Sequence, residues 1–526
     1  MLVSRVWYSR FVRLARASVP IAATMFSWAF LITVLVVVDG TTLLAQANFI
    51  YTNNNNAFVS NTVSAFSVAS NGLLTEIAGS PFPTGGTGNG ANGFIASNRI
   101  TVCGNFLYAS NSFSGDVSGF SINPTTGNLT PIPGSPFAAG GMTFFGISLA
   151  ATAKCDFLFA ANGDAAQIFA FQIGSNGVLT LVQGSPFSAP SQPDGLSVSP
   201  DGKFLSTSLT NLGSGQVAMF SISVTGALTP VPGSPFAISP AAQTPAGIEI
   251  NCASNLLFVA ELSSTVDVFN ITSNGAISLI SGSPFSSPSG NLVPALSPNG
   301  QFLFTSNLSA GVNSFLVASD GAVTAVTGSP FSAGLGLSSG VAVNKAGTLL
   351  YVSDFFSNLV SVMQVASDGT LMLAPGSPVT TGQSGGLFSL AAFPPQTCVS
   401  ALQVPIDIKP GSFPNSINPK SKGTIPVAIL SSSSFDAVNR VDASSLTFGE
   451  TGNEPSLAFC DSSGEDVNGD GLLDLVCHFK TQQAGFKSGD TQGTLKGKTL
   501  DGTPVVGTDS VNIVPEVQRY KGSPNM

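Results

Sequence analysis

Histidine occurs once in the 526 residues, tryptophan twice, and charged residues amount to only 9% of the chain. A single histidine removes the usual acid–base group near neutral pH. It also excludes a serine hydrolase built from a G-x-S-x-G elbow and a triad histidine. Positive charge is scarce and the net charge is −9, so a nucleic-acid partner held by counterion release is excluded. Disorder is excluded as well, because 43% of the residues are hydrophobic while few are charged, the reverse of the disordered balance. Abundant instead are glycine (57), proline (34) and phenylalanine (39). That mixture suits many short strands separated by tight turns.

The first residues read as a targeting segment. Arg5, Arg10, Arg13 and Arg16 precede an uncharged apolar stretch from Ala22 to Val38, and Ala45-Gln46-Ala47 supplies a small-x-small cleavage pattern. The pattern predicts a signal peptide over residues 1–47, with the mature chain starting near Asn48. The alternative is a retained anchor, since 17 apolar residues approach the minimum span of a membrane. Either way the bulk of the protein is expected to be exported, secreted or at the cell surface, where its six cysteines can oxidise.

One motif organises the next 350 residues. Gly-Ser-Pro-Phe begins at Gly79, Gly134, Gly184, Gly233, Gly282 and Gly328, and Gly-Ser-Pro-Val begins at Gly376, at spacings of 55, 50, 49, 49, 46 and 48 residues. Within each unit, runs such as 204–208 (FLSTS) and 216–223 (QVAMFSIS) alternate as strands do, and Thr225-Gly226 marks a turn. Four strands repeated seven times predict an all-β, seven-bladed β-propeller over residues 48–397. Outer triplets are expected to start near Asn48, Phe106, Phe157, Phe204, Leu256, Phe302 and Leu349, and inner strands to lie near Phe94, Phe145, Leu196, Ile248, Val293, Val341 and Leu387. The first triplet lacks an inner strand before it and the inner strand Gly386–Phe393 lacks a triplet after it, so pairing the two closes the ring and removes its edges. The motif's phenylalanines are expected to pack between blades, with Gly-Ser-Pro as a turn.

The repeated G-x-L-T-x-x-x-G-S-P-F (Gly127–Phe137, Gly177–Phe187, Gly226–Phe236) and the S-P-D-G-K-F-L of Ser199–Leu205 resemble the lactonase-type seven-bladed propellers, the family that includes 6-phosphogluconolactonase and the muconate-lactonising enzymes. The resemblance implies a lactone-hydrolysing activity. Residues 48–397, however, contain no histidine, one arginine (Arg99) and three lysines (Lys154, Lys203, Lys345). The His/Arg/Glu sets of that family therefore have no counterpart here.

What remains for chemistry is acidic. Loops entering the inner strands and loops joining second to third strands share one face of a propeller. There the sequence places Asp116, Asp164, Asp194, Glu261 and Asp354, with Asn111, Asn162 and Asn307 at matching positions. Asp194, Glu261 and Asp354 are the catalytic candidates. Together with the amides they could hold a second divalent metal in the channel and activate water, or serve merely as turn-forming residues. Gly88–Gly93 fits G-x-G-x-x-G but opens no helix after a strand, so a nucleotide site is rejected.

Charge rises after Cys398: residues 402–526 carry 10 of the 18 Lys+Arg and 14 of the 27 Asp+Glu. Segments 404–408, 424–430, 472–479 and 510–514 read as strands of a small β-sandwich over residues 398–526. The run IDIKPGSFPNSINPKSKGTIPVAIL (406–430) resembles a module appended to exported bacterial proteins. Within it, Asp466, Asn468, Asp470 and Asp474 place oxygen donors at positions 1, 3, 5 and 9 of a loop, with Gly471 at position 6 and the Leu472 carbonyl at position 7. This is the pattern of short Ca2+ loops, with Asp461 or Glu465 as extra ligands. Cys460 and Cys477 flank the loop and are expected to pair. Cys103, Cys155 and Cys252 recur just before second strands, which argues for similar depth but not for pairing. His478 is expected to be a packed or surface residue. The overall expectation is a monomeric binding or interaction platform for a small molecule, glycan or protein. The rival readings are a metal-assisted lactonase and a glycan-binding adhesion protein.

Overall fold

The computed structural model describes residues 47–90, 98–210, 215–240, 244–307, 311–318, 320–383, 386–387, 389–398, 402–432, 434–500 and 503–514. The expected targeting segment lies outside the described residues, as does the inner strand expected near Phe94.

Seven five-stranded antiparallel sheets follow one another along residues 48–393. The second strand of each blade is six residues long: Asn48–Asn53, Phe106–Asn111, Phe157–Asn162, Phe204–Leu209, Leu256–Glu261, Phe302–Asn307 and Leu349–Asp354. Most of these strands are buried along their entire length. They are sandwiched between neighbouring blades, so both faces need apolar or small side chains, and a continuous run such as Phe-Leu-Phe-Ala-Ala replaces alternation. Burial decays outward. In the three-residue strands at the rim (Leu74–Glu76, Leu129–Pro131 and their equivalents) only the first residue is buried.

The ring closes as expected. Phe49, Ile50, Tyr51 and Thr52 pair antiparallel with Phe393, Ala392, Ala391 and Leu390. Seven apolar clusters, one at each blade interface, follow from that closure. One joins Ile50 and Phe66 of the first blade to Leu349 and Tyr351 of the seventh; another joins Phe49 and Ile77 to Leu107 and Phe120 of the second. The observed inner strands are Ile100–Cys103, Ile147–Ala151, Pro193–Val198, Pro245–Ile250, Asn291–Leu296, Ser338–Val343 and Leu390–Phe393. Among the described residues the second blade's inner strand begins at Ile100.

The repeated motif divides the outermost strand in two. The third strand pairs first with the Leu-Thr-Pro-type strand and then with a two-residue strand at the motif's phenylalanine, as in Leu129–Pro131 and Phe137–Ala138. Between them the motif serine accepts the third strand's backbone N–H that would otherwise lose its partner. Ser80, Ser135, Ser185, Ser234, Ser283, Ser329 and Ser377 do this for Ala65, Gly119, Ala170, Met219, Val268, Ser314 and Val362. A buried N–H left unpaired is costly, which gives the serine a structural role in every blade. The phenylalanines pack partly buried against the interface clusters.

Beyond Leu402 the chain forms two four-stranded sheets and a two-stranded pair. One sheet is ordered Leu402–Gln403, Pro504–Ser510, Gln492–Thr499, Val441–Gly449. The other is ordered Ile406–Ile408, Thr424–Ile429, Asp474–Lys480, Leu457–Glu465. They share one core that includes Ile408, Val427, Phe448, Phe479 and Leu495. Strands 441–449, 457–465, 492–499 and 504–510 were not legible beforehand, because they are rich in Gly, Ser, Thr and charge.

Candidate binding cavity and the acidic positions of the channel

The ends of the second strands carry a ring of equivalent residues: Asn54, Asn111, Asn162, Leu209, Glu261, Asn307 and Asp354. All seven are buried. Their side chains knit the hairpin after the second strand to the loop entering the inner strand. Asp354 accepts backbone N–H bonds from Gly336, Leu337, Phe356 and Ser357 at 2.5–2.9 Å, which holds its carboxyl below the usual value despite burial. Asn162 donates to the Ala139 and Gly141 carbonyls and accepts from Ala165. Asn111 accepts from Asn61 and Thr84 and donates to Asp116 and Ser118. Asn307 accepts from Gly311. These groups form turns, as Asx residues do.

Glu261 stands out at this register. Neither of its carboxylate oxygens has a hydrogen bond of normal geometry among the described residues. Burial, then the nearby Asp267 carboxylate, push its carboxyl up to about 9, with the Thr244 backbone amide acting against them. Asp267 itself accepts from the Ser239 N–H and the Ser283 hydroxyl. Asp194 sits on the irregular start of the fourth blade's inner strand, buried with Oδ2 unpartnered among the described residues, and burial raises its carboxyl to about 8. Asp164 is exposed and accepts the Phe144 N–H. Asp116 is raised by burial, offset by hydrogen bonds from Ser114 and Asn111. Among the described residues no three His, Cys, Asp or Glu side chains are grouped to hold a metal ion.

The cavity lies toward the other end of the channel, which the sequence reading did not anticipate. It measures ≈ 740 Å³ and is lined by the far halves of the inner strands, the turns after them, and the segment Pro395–Cys398. Glu249 is its central acidic group. On the inner strand Pro245–Ile250 it pairs opposite Phe258, three residues or about 10 Å along the second strand from Glu261. The equivalent positions of the other blades hold Thr101, Ala150, Ser197, Ala295, Ala342 and Ala391. Glu249 keeps partial solvent contact through the cavity, while enclosure by the surrounding blades pushes its carboxyl up to about 8. The other acidic lining residue, Asp201, pairs at 2.9 Å with Lys203 at the surface. Among the described residues, no arginine, lysine, histidine or aromatic side chain lines the cavity. Arg99 is buried elsewhere, with Nη1 donating to Asn89 at 3.0 Å. The signal for Glu249 was its charge at an inner-strand position where every other blade has a small residue.

All six cysteines are paired: Cys103–Cys155, Cys252–Cys398 and Cys460–Cys477. The last is the expected pair. Cys103–Cys155 and Cys252–Cys398 are pairings that the sequence left open. Turns after neighbouring inner strands converge at the narrow end of the ring, bringing the Cys103 and Cys155 Cα atoms to 5.6 Å. Four of these cysteines line the cavity.

In the C-terminal module the loop 466–474 joins two strands of one sheet. Asp466 accepts from the Gly469, Asp470 and Gly471 N–H groups. Asn468 and Asp470 accept from Asp470 and Leu472, and Asp474, fully buried, accepts from Ser431 and Val467. Gly469 and Gly471 adopt positive φ. The donors are hard oxygens of the right chemistry for calcium, but their lone pairs face the loop's own amides. Asp461 is engaged with Ser463. His478 stacks on Phe459 with ring centroids 4.5 Å apart.

Solved structures share the propeller fold. A candidate 6-phosphogluconolactonase from Bacteroides fragilis superposes with a TM-score of 0.52 at 19% identity, covering 67% of this chain and 99% of that one. The periplasmic gluconolactonase of Pseudomonas aeruginosa gives 0.52 at 16% identity, covering 66% and 99%. A Lactobacillus plantarum protein gives 0.51 at 16%, covering 66% and 100%. No curated protein matches the chain. Residues 106–244 match the family of lactonases described as a 7-bladed beta-propeller, and the closed ring of seven blades has the fold of that family's propellers.

Proposed function

We propose that the propeller is an exported binding module whose ligand site is the channel cavity. The chemistry of the lining carries this reading: two carboxylates, hydroxyls and amides, with no cationic or imidazole group. Lactone hydrolysis needs a base and a donor set for the developing oxyanion. Glu249, with its carboxyl near 8, suits the first task, and this favours the hydrolase as the second reading. The second task has no side-chain cation to perform it. A phosphorylated lactone would in addition meet negative charge. Three disulfides support an oxidising compartment. In the C-terminal module we propose that Asp466, Asn468, Asp470, Asp474 and the Leu472 carbonyl hold Ca2+ by turning from the loop's amides to the ion, which would tie down the loop.

The test is a panel of lactones, phosphorylated and not, assayed with and without divalent metals on the purified protein. No turnover above the uncatalysed rate is expected. Turnover that disappears in Glu249→Gln with folding intact overturns the binding-module reading in favour of the hydrolase.

A further inference from the structure

We propose that the channel cavity binds a primary aliphatic amine, its ammonium held by the Glu249 carboxylate. The inference rests on the reading of the cavity as a ligand site. The Glu249 carboxylate has no hydrogen-bond or ion-pair partner among the described residues and meets solvent only partly, through the cavity. An enclosed carboxylate gains most from a partner that brings opposite charge and N–H donors together. Among the described residues no lining side chain supplies that charge, since none is an arginine, lysine or histidine. The complement must come from the ligand.

The remaining lining narrows the class. Quaternary ammonium groups are recognised by aromatic cages, and among the described residues no aromatic side chain lines the cavity. A primary ammonium carries three N–H donors instead. Ser197 and Thr101 occupy the same layer as Glu249. The Ser197 hydroxyl already accepts the Ile250 N–H at 3.1 Å, which leaves further acceptor capacity on that oxygen. Ala150, Ala295, Ala342 and Ala391, at equivalent positions around the ring, line the cavity with small apolar side chains, which suit an unbranched methylene chain. Gln396, in the segment that lines one end of the cavity, is committed to the Leu296 carbonyl at 3.0 Å. A hard divalent ion is a poorer match, because it needs about six oxygen ligands and Glu249 is alone at its depth.

Calorimetric titration of the full mature chain tests this with n-butylamine, 1,4-diaminobutane, tetramethylammonium, glycerol, glucono-δ-lactone and CaCl2 as separate probes. The primary amines are expected to bind at one site, tetramethylammonium at least tenfold more weakly. Glu249→Gln should reduce amine affinity at least tenfold while keeping the melting temperature. Ala342→Leu, which narrows the cavity but keeps the charge, should also weaken the amines. Equal amine affinity in Glu249→Gln, or calcium binding that this variant abolishes, overturns the inference. Binding of glycerol or the lactone in place of the amines overturns the amine but leaves the binding module standing. No binding by any probe overturns both.

Discussion

Cys252 and Cys398 are joined across 146 residues of sequence, tying the turn after the fifth blade's inner strand to the segment that leaves the propeller. Pro395, Gln396 and Thr397, just before Cys398, line one end of the cavity. The disulfide therefore stabilises the fold and holds one wall of the cavity. Cross-linking a loop this long removes substantial entropy from the unfolded chain, and losing such a bond costs about 2–5 kcal/mol. The double variant Cys252→Ala/Cys398→Ala is expected to lower the melting temperature by several degrees. Scanning calorimetry in non-reducing buffer reads it, and an unchanged transition would contradict the stated role.

Blade contacts predict a second effect. The turn glycine of each blade rests on the first residue of the preceding blade's second strand: a Cβ at Gly177 would come within 2.6 Å of Phe106 and of Ile132, and one at Gly127 equally close to Phe49 and Ile77. Gly177 also has φ of 81°, where an L side chain is strained. Tyr108 donates to the Gly177 carbonyl at 2.8 Å. Gly177→Ala should destabilise by at least about 1–3 kcal/mol, from clash and strain together. Denaturant unfolding measures it. Gly202→Ala serves as the control, because its φ is also positive but no atom lies within 4 Å of the added Cβ. Equal costs at the two sites would refute the interblade contact.

Buried acids set the pH dependence. Asp194, Glu249 and Glu261 have carboxyls raised to about 8, 8 and 9, from ordinary values of 3.8, 4.5 and 4.5. Between those limits the folded protein keeps protons that the unfolded chain has released. Their contribution is therefore fully present below about pH 4, declines as pH rises, and levels off near pH 9. Melting temperature should fall from pH 5 to pH 9. Glu261→Gln, permanently neutral, should flatten that slope and melt several degrees higher than the parent at pH 9, with little difference at pH 4.5. A parent and variant with parallel pH profiles would show that Glu261 is not raised.

Calcium should act on the C-terminal module alone. With chelator present, the unfolding transition of that module is expected to move down, while amide exchange in the propeller strands stays unchanged. Asp466→Ala should reproduce the shift and abolish any further effect of chelator. If neither treatment shifts it and native mass spectrometry finds no bound ion, the calcium assignment fails.

The positions of the acids show where sequence reading reached its limit. Asp354 and Glu261 are grouped by the sequence because both fall on the face where second strands join third strands, and the fold does place them at one register. Their environments nonetheless diverge, since four backbone N–H groups meet Asp354 and no side chain reaches Glu261. Glu249 was overlooked because it interrupts Ile-Glu-Ile, a pattern that reads as a half-exposed strand. In a propeller's innermost strand the polar position faces an internal channel, so the same alternation has a different meaning.

The periodicity of Gly-Ser-Pro-Phe alone determined the number of blades and the circular closure, because a unit that cannot bury both faces by itself must stack, and the unpaired strands at the two ends complete each other. The C-terminal sequence carried the regular spacing of oxygen donors over residues 466–474 and the pairing of Cys460 with Cys477, which are local in the chain. The tertiary structure alone decided that Cys103 meets Cys155 and Cys252 meets Cys398, that each motif serine caps a neighbouring strand, and that one carboxylate stands at the heart of the channel. The disulfides and the carboxylate depend on which turns and inner strands converge at the ring's axis, a relation between segments about fifty or more residues apart, whereas the serine bonds span 15 or 16 residues but depend on how the outermost strand is divided.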